Sequence, residues 1–289
     1  MILGALEAGG TKMVCAIGDE NGNIFEQVKI PTGEPEETMR KIVEYFSDKN
    51  IEALGVAAFG PVGVNKASEN YGKILETTKT EWKYFDLLGS LKPINVPMNI
   101  DTDVAGSCLG EAWLGAAKDL SNVVYVTIGT GIGAGVMVNG KIIHGMLHPE
   151  CGHVLVNRRH GDRCESVCAY HDNCVEGLAS GTAIRAHWGK PADELLDNDM
   201  VWELEADYIA QALVNYIMTV SPEKIILGGG VMHVHKLFPL IREKTKRYLG
   251  GYLVTSELED MDSYIVPAGL GDNQGIVGCL WLAKECLGV

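Results

Sequence analysis

Cys168, His171 and Cys174 are separated by two residues each, close enough for one loop to wrap a tetrahedral ion. Zinc takes thiolate and imidazole, and a structural site closes on four protein ligands. Five of the eight histidines and four of the eight cysteines fall between His144 and Cys174. Soft ligands this clustered favour a metal over a loop of buried thiols. His153 is the expected fourth ligand, although His148, Cys151, His160 and Cys164 compete on spacing alone. Glu150 lies three residues before His153, and Glu176 two residues after Cys174. A closed zinc site would pin both carboxylates near one point, which stability alone does not require. The loop therefore reads as a rigid wall of a substrate pocket.

Two glycine turns suit a different ligand. Glycine lets backbone N–H groups approach phosphate oxygens with no Cβ in the way. Gly9, Gly10, Thr11 and Lys12 form the first such turn, and Gly129, Thr130, Gly131 and Gly133 the second. A third cluster, Gly228, Gly229 and Gly230, is placed to accept an adenosine. Asp103 is the candidate base, because a carboxylate at a strand end before a helix reaches a cleft at the sheet's C-terminal edge. Phosphoryl transfer to an alcohol needs such a group to orient the hydroxyl and take its proton. The competing reading makes Asp103 the N-cap of the following helix, and Asp101 is a second candidate base.

The elements that must carry these residues follow from periodicity. Strands are expected at 2–6, 13–18 and 24–30, with a turn at 19–22. Pro35 opens a helix that sets Met39, Ile42, Val43 and Phe46 on one face. A buried strand at 54–58 runs into Gly60 and Pro61, residues 63–84 look irregular, and a strand at 96–100 precedes the helix 104–114. Strand, glycine turn, strand, Asn-Gly turn and strand then recur over 123–143, which reads as a duplication of 2–30. Two such lobes could grip a polyphosphate from both sides of a cleft. Helices follow at 200–219, 236–249 and 275–287, with strands at 224–227 and 264–267. Two near-motifs fail on context. Gly135 to Lys141 lacks the Ser or Thr of a P-loop, since Ile142 follows. Gly129 to Ala134 imitates a dinucleotide fingerprint but continues as strand where a helix is needed.

Composition narrows the classes further. The chain has 289 residues, 46% of them apolar, a net charge of -14 and a pI near 5.0. Such acidity argues against a nucleic-acid or anionic-membrane surface, so no nucleic-acid and no membrane partner is expected. The N-terminal residues lack the basic start and apolar run of a signal peptide, and no segment reaches the ~20 apolar residues of a membrane span. A cytoplasmic protein with metal-bound or free thiols is expected.

Glu7-Ala-Gly-Gly-Thr-Lys12, Asp101-Thr-Asp103-Val, Ile128-Gly-Thr-Gly-Ile-Gly133, His148-Pro-Glu-Cys-Gly-His153 and the Cys/His loop resemble the ROK family of sugar kinases and sugar-responsive repressors. Cys168-x-x-His171-x-x-Cys174 followed by Glu176-Gly-Leu-Ala-Ser-Gly181 is similar to the bacterial ROK fructokinases. The resemblance implies an α/β, actin-like ATPase fold of the ribonuclease H kind, two lobes around a nucleotide and sugar cleft. It implies a small N-terminal lobe over 1–115, to which 275–289 returns, and a larger lobe over 116–274 carrying the zinc loop. ATP with Mg2+ becomes the phosphoryl donor, a hexose the acceptor, Zn2+ the structural ion, and a homodimer the assembly. Asp103 becomes the base. Gly60, Pro61, Thr102, Glu150, His153 and Glu176 become sugar contacts, His153 placing its other ring nitrogen on zinc. Gly9, Gly10, Thr11, Lys12, Gly129, Thr130, Gly131, Thr182, Gly228, Gly229 and Gly230 become nucleotide positions. Glu7 stands where many members have Asp, Thr102 where Asn is frequent, and Thr182 where Pro often follows Ser-Gly. The expected activity is fructose phosphorylation to fructose 6-phosphate, with mannose, glucose or an N-acetylhexosamine as alternative acceptors. A sugar-sensing repressor would need a DNA-reading helix pair and a basic patch, and neither is evident.

Overall fold

Residues 3–8, apolar except for Glu7, form a strand covered on both sides. In the computed structural model, which describes residues 1–288, this strand is β1 (Leu3–Ala8). The chain divides into two units, the first comprising 1–119, 142–149 and 269–288, the second 120–141 and 150–268.

In the first unit β1 pairs antiparallel with β2 (Lys12–Gly18), which pairs antiparallel with β3 (Ile24–Pro31). On its other edge β1 runs parallel to β4 (Ala53–Ala58), and β4 parallel to β5 (Met98–Thr102). The sheet order is β3-β2-β1-β4-β5. Strand side chains alternate between faces, and the core splits accordingly. Leu6, Ala8, Met13 and Cys15 pack with Met39, Ile42 and Phe46 of α1 (Pro35–Phe46). Leu3, Ala5, Val14 and Ala16 pack with Ile276, Cys279 and Leu280 of the closing helix (Gln274–Cys286). Beyond β4 the chain is irregular, as expected, apart from a single helical turn at Thr80–Trp82 that buries Trp82. The short helix α2 (Leu87–Leu91) comes before β5, and α3 (Asp103–Leu114) starts directly at the end of β5.

The second unit repeats this pattern. β6 (Val123–Ile128) pairs antiparallel with β7 (Ile132–Val138), and β8 (Lys141–Ile142) lies beyond it. β9 (Lys224–Gly228) lies parallel to β6, and β10 (Ile265–Pro267) parallel to β9. The order β8-β7-β6-β9-β10 matches that of the first sheet strand for strand. The duplicated pattern of strands and turns was thus a true index of the architecture, an α/β fold with two lobes. The helices α4 (Val175–Ala179), α5 (Gly181–Trp188), α6 (Asp199–Val220) and α7 (Leu237–Leu249) complete this unit with short turns beyond them. α6 is buried along most of its length, with Trp202, Tyr208 and Leu213 fully enclosed. No helix among the described residues is long and apolar enough to cross a membrane.

The closing helix approaches the first sheet and α3 through glycines. A Cβ on Gly278 would lie 1.7 Å from the Gly106 carbonyl oxygen, and one on Gly55 would lie 1.8 Å from that of Cys279. Alanine in a helix interior is worth about 1 kcal/mol over glycine, but here backbone would have to part. Overpacking of this kind costs about 1–3 kcal/mol or more, so the clash outweighs the propensity. Gly278→Ala is expected to lower stability by about 2 kcal/mol in a urea titration; a stabilised variant would show that the helix does not sit this close.

Candidate active site and metal centre

In the first unit, the turn between β1 and β2 closes on itself. The Gly9 N–H donates to the Lys12 carbonyl at 3.1 Å, and the Thr32 hydroxyl donates to the Gly9 carbonyl at 2.7 Å. A Cβ on Gly9 would lie 2.6 Å from the Lys12 carbonyl oxygen, so only glycine suits the position. The stem of Lys79 lies over Gly10, 3.2 Å from where a Cβ would stand. No sequence signal had marked this lysine, because it belongs to the irregular segment.

Asp103 is the first residue of α3, and it does not cap the helix. Thr102 does so, its hydroxyl accepting from the Ala105 N–H at 3.1 Å. The Asp103 carboxylate accepts from the Val104 N–H at 2.9 Å. The competing reading of Asp103 as the N-cap is therefore overturned, since Thr102 takes that role. Asp103 keeps part of its surface accessible, yet protein crowds it closely. Desolvation raises its pKa to about 6, against backbone hydrogen bonds that lower it. Glu7, at the end of β1, is raised to about 7, first by burial and then by the Asp103 charge, with Asp272 adding to it and Lys12 opposing. Burial lifts both carboxylates, and the Asp103 charge lifts Glu7 further, at the C-terminal edge of the sheet.

Asp101, the other candidate base, is buried and committed. Its Oδ1 accepts from the Thr102 N–H at 2.8 Å and from His144 Nε2 at 3.1 Å. Gly60 and Pro61 form the turn after β4, where the ring of His148 lies 3.3 Å from the Cβ position of Gly60. His148 thus leaves the pool of rival metal ligands: its Nε2 accepts from the Val62 N–H at 3.2 Å.

In the second unit, three separate glycine stretches meet. The Gly129 N–H donates to the Gly131 carbonyl at 2.9 Å, and the Gly181 N–H donates to the Gly129 carbonyl at 2.7 Å. The Thr182 hydroxyl donates to the Thr130 carbonyl at 2.7 Å. Gly229 has φ +89°, and its Cβ would stand 2.5 Å from the Ile128 carbonyl oxygen. The Gly230 N lies 3.9 Å from the Cβ position of Gly129. Gly129, Thr130, Gly131, Thr182 and the cluster at 228–230 are therefore neighbours, although up to a hundred residues separate them in sequence.

His153, Cys168, His171 and Cys174 also come together, with one donor atom from each within 4.8 Å of the others. Cys168 Sγ lies 3.8 Å from His153 Nδ1 and 3.6 Å from His171 Nδ1. A tetrahedral zinc ion with bonds of about 2.3 Å to sulfur and about 2.0 Å to nitrogen separates those atoms by about 3.6 Å. The two-sulfur, two-nitrogen donor set fits that ion. Backbone N–H groups of Tyr170 and Gly177 donate to Cys168 Sγ at 3.5 Å and Cys174 Sγ at 3.3 Å. Burial otherwise pushes the Cys174 thiol up to about 11, so an ion here must displace a proton. His160, Cys151 and Cys164 stand outside the group. Cys151 lies near α6, its carbonyl accepting from the Tyr216 hydroxyl at 2.7 Å.

Glu176 joins this centre to the glycine turn. Its Oε2 accepts from the Ile132 N–H at 2.9 Å, while its Oε1 lies 3.8 Å from His153 Nε2. His153 therefore presents one ring nitrogen to the donor group and the other to a carboxylate, the arrangement that orients metal-bound imidazoles. Glu150 lies exposed at the start of the turn Cys151–His153, its carbonyl accepting from the His153 N–H at 3.0 Å.

The ROK family model matches residues 3–286. A fructokinase from Pediococcus pentosaceus is 49% identical over 288 residues, 99% of this chain and 99% of that protein. A fructokinase from Zymomonas mobilis is 40% identical over 292 residues, 98% of this chain and 96% of that protein. The crystal structure of a ROK hexokinase from Thermus thermophilus superposes with a TM-score of 0.82 at 23% identity, over 100% of this chain and 99% of that one. The twin sheets, the glycine turns and the resemblance first carried by short motifs have one common source: this chain belongs to the ROK family.

Proposed function

We propose that this protein is an ATP-dependent fructokinase that transfers the γ-phosphoryl group to the 6-hydroxyl of fructose. The observation that carries the reading is near-complete coverage at 49% identity with a fructokinase. The local chemistry supports it. Phosphoryl transfer asks the protein mainly to position two substrates and spread negative charge. The turns at Gly9, Gly10, Thr11 and Lys12 and at Gly129, Thr130 and Gly131 offer backbone amides to phosphates, with Thr182, Gly228, Gly229 and Gly230 beside the second turn. Gly60, Pro61 and Thr102 in the first unit, and Glu150, His153 and Glu176 in the second, are assigned to the sugar. Magnesium entering with ATP would screen the phosphate charge, and Glu7 and Asp272, beside Asp103, are carboxylates suited to a hard cation.

Asp103 takes the proton from the attacking hydroxyl. It works only when ionised, so hexose phosphorylation is lost as pH falls through about 6 and is fully present above it. The acid limb of kcat/KM should therefore sit near 6, well above an ordinary aspartate; a limb near 4 would reject Asp103 as the base. Asp103→Asn should lower kcat by about a thousandfold and leave ATP binding within about twofold. The folded-state pKa of Asp103 is raised, so its ionised form opposes folding at neutral pH. The same variant should then melt higher than wild type at pH 7.5, with the gap closing as pH falls through about 6. Wild-type turnover in this variant would overturn the assignment.

Zinc is assigned to His153, Cys168, His171 and Cys174, where it would hold the loop that carries Glu176 rigid. About one zinc per chain is expected by atomic emission, lost in Cys174→Ser and retained in Cys151→Ser. Loss should raise the fructose KM while kcat changes less; unchanged sugar affinity in the metal-free protein would reject the pocket-wall role. The expected homodimer is checked by sedimentation, and a hexose panel in a coupled ADP-release assay ranks fructose against mannose, glucose and N-acetylhexosamines. A cytoplasmic setting is proposed from the use of ATP and from cysteines that remain thiols.

A further inference from the structure

The segment Ile142–Pro149 belongs to the first unit although the residues on either side of it belong to the second. Two histidines fasten it there. His144 Nε2 donates to Asp101 Oδ1 at 3.1 Å, on the strand β5 that ends one residue before Asp103. His148 Nε2 accepts from the Val62 N–H at 3.2 Å, two residues beyond Gly60, and its ring lies 3.3 Å from the Gly60 Cβ position. β4 and β5 are parallel neighbours, with Ala58 opposite Thr102. The two histidines therefore hold the ends of adjacent strands, one bearing the turn at Gly60 and Pro61, the other Thr102 and Asp103.

The His148 bond is costly to lose. Val62 is fully buried, and an amide there without an acceptor forfeits its hydration with no return. The ring must be neutral, with its proton on Nδ1, for Nε2 to accept. Burial lowers the pKa of His148 accordingly, against the Pro149 backbone carbonyl, which accepts from the ring and raises it. His148 is itself buried, so the ring acts as a fixed spacer over Gly60.

We infer that His148 is a positioning residue for the acceptor sugar: by accepting from the Val62 amide and roofing Gly60, it sets the turn that meets the hexose. His144, on Asp101, supports the neighbouring strand end in the same way. The inference rests on the sugar-kinase reading for its substrate, but the hydrogen bond itself can be tested apart from it.

The experiment compares wild type, His148→Ala and His148→Gln, because the Gln side-chain oxygen reaches about where Nε2 stands. Fructose and ATP are each titrated at saturation of the other. His148→Ala should raise the fructose KM about tenfold and leave the ATP KM within about twofold, and His148→Gln should recover most of the loss. Equal rises in both KM values, or no rise, or a Gln variant as impaired as Ala, would overturn the positioning role. Amide hydrogen exchange in the peptide containing Val62 is followed in parallel. It should quicken in the Ala variant and return in the Gln variant; unchanged exchange in Ala overturns the inference without reference to turnover. If wild type phosphorylates no hexose, the kinase reading falls, and the exchange measurement alone decides the hydrogen bond.

Discussion

Two thiols and two imidazoles meet at one point in the second unit, and much of that unit's site depends on what such a meeting requires. Buried thiols hold their protons tightly, and neutral side chains of this kind gain little from crowding one another. A divalent ion would supply the missing attraction, and its binding free energy would become ordering of the loop. Cys174 makes this concrete, since it belongs to the donor group and also caps α4, its sulfur accepting from the Gly177 N–H. From there the constraint passes through Glu176 to the Ile132 amide and so to the second glycine turn. A metal group that stabilised only its own loop would have no such outlet.

The first unit works by a different principle. Two carboxylates at its sheet edge, Glu7 and Asp103, are kept in poor solvation. Glu7 and Asp103 both hold protons at higher pH than free carboxylates because burial disfavours their charge, and the Asp103 charge raises Glu7 further. Such an arrangement is unfavourable for folding, and a carboxylate serving as a base would share its proton most readily with a pKa near the working pH. The stability lost there is offset by tight backbone packing between β4, α3 and the closing helix, where glycines allow carbonyl contacts that any side chain would prevent.

Much of the fold was legible in the sequence. Two runs of strand, glycine turn, strand, tight turn and strand, over 2–30 and 123–143, became twin sheets with the same strand order. The reading succeeded because hairpin geometry is local: turn residues and period-two alternation act over a few residues. The irregular segment 63–84 was also legible as irregular, but what it contributes was not. Lys79 over Gly10, and Trp82 donating from its indole to the Gly33 carbonyl at 3.0 Å, carry no periodic signal.

At the site, residue chemistry alone selected Cys168, His171 and Cys174, because their spacing lets one short loop bring three soft donors together. It also drew attention to Asp103, since a carboxylate where strand becomes helix can either cap the helix or reach a cleft at the sheet's edge. Spacing left open which histidine completed the donor group, and which of Asp101, Thr102 and Asp103 capped a helix or kept a carboxylate available. Only the folded chain decided these points, sending His148 to the Val62 amide, His144 to Asp101 and the helix cap to Thr102. The physical reason is range. Turn type and donor identity are written in neighbouring residues, whereas the partner of a buried polar atom is chosen by packing among segments far apart in sequence.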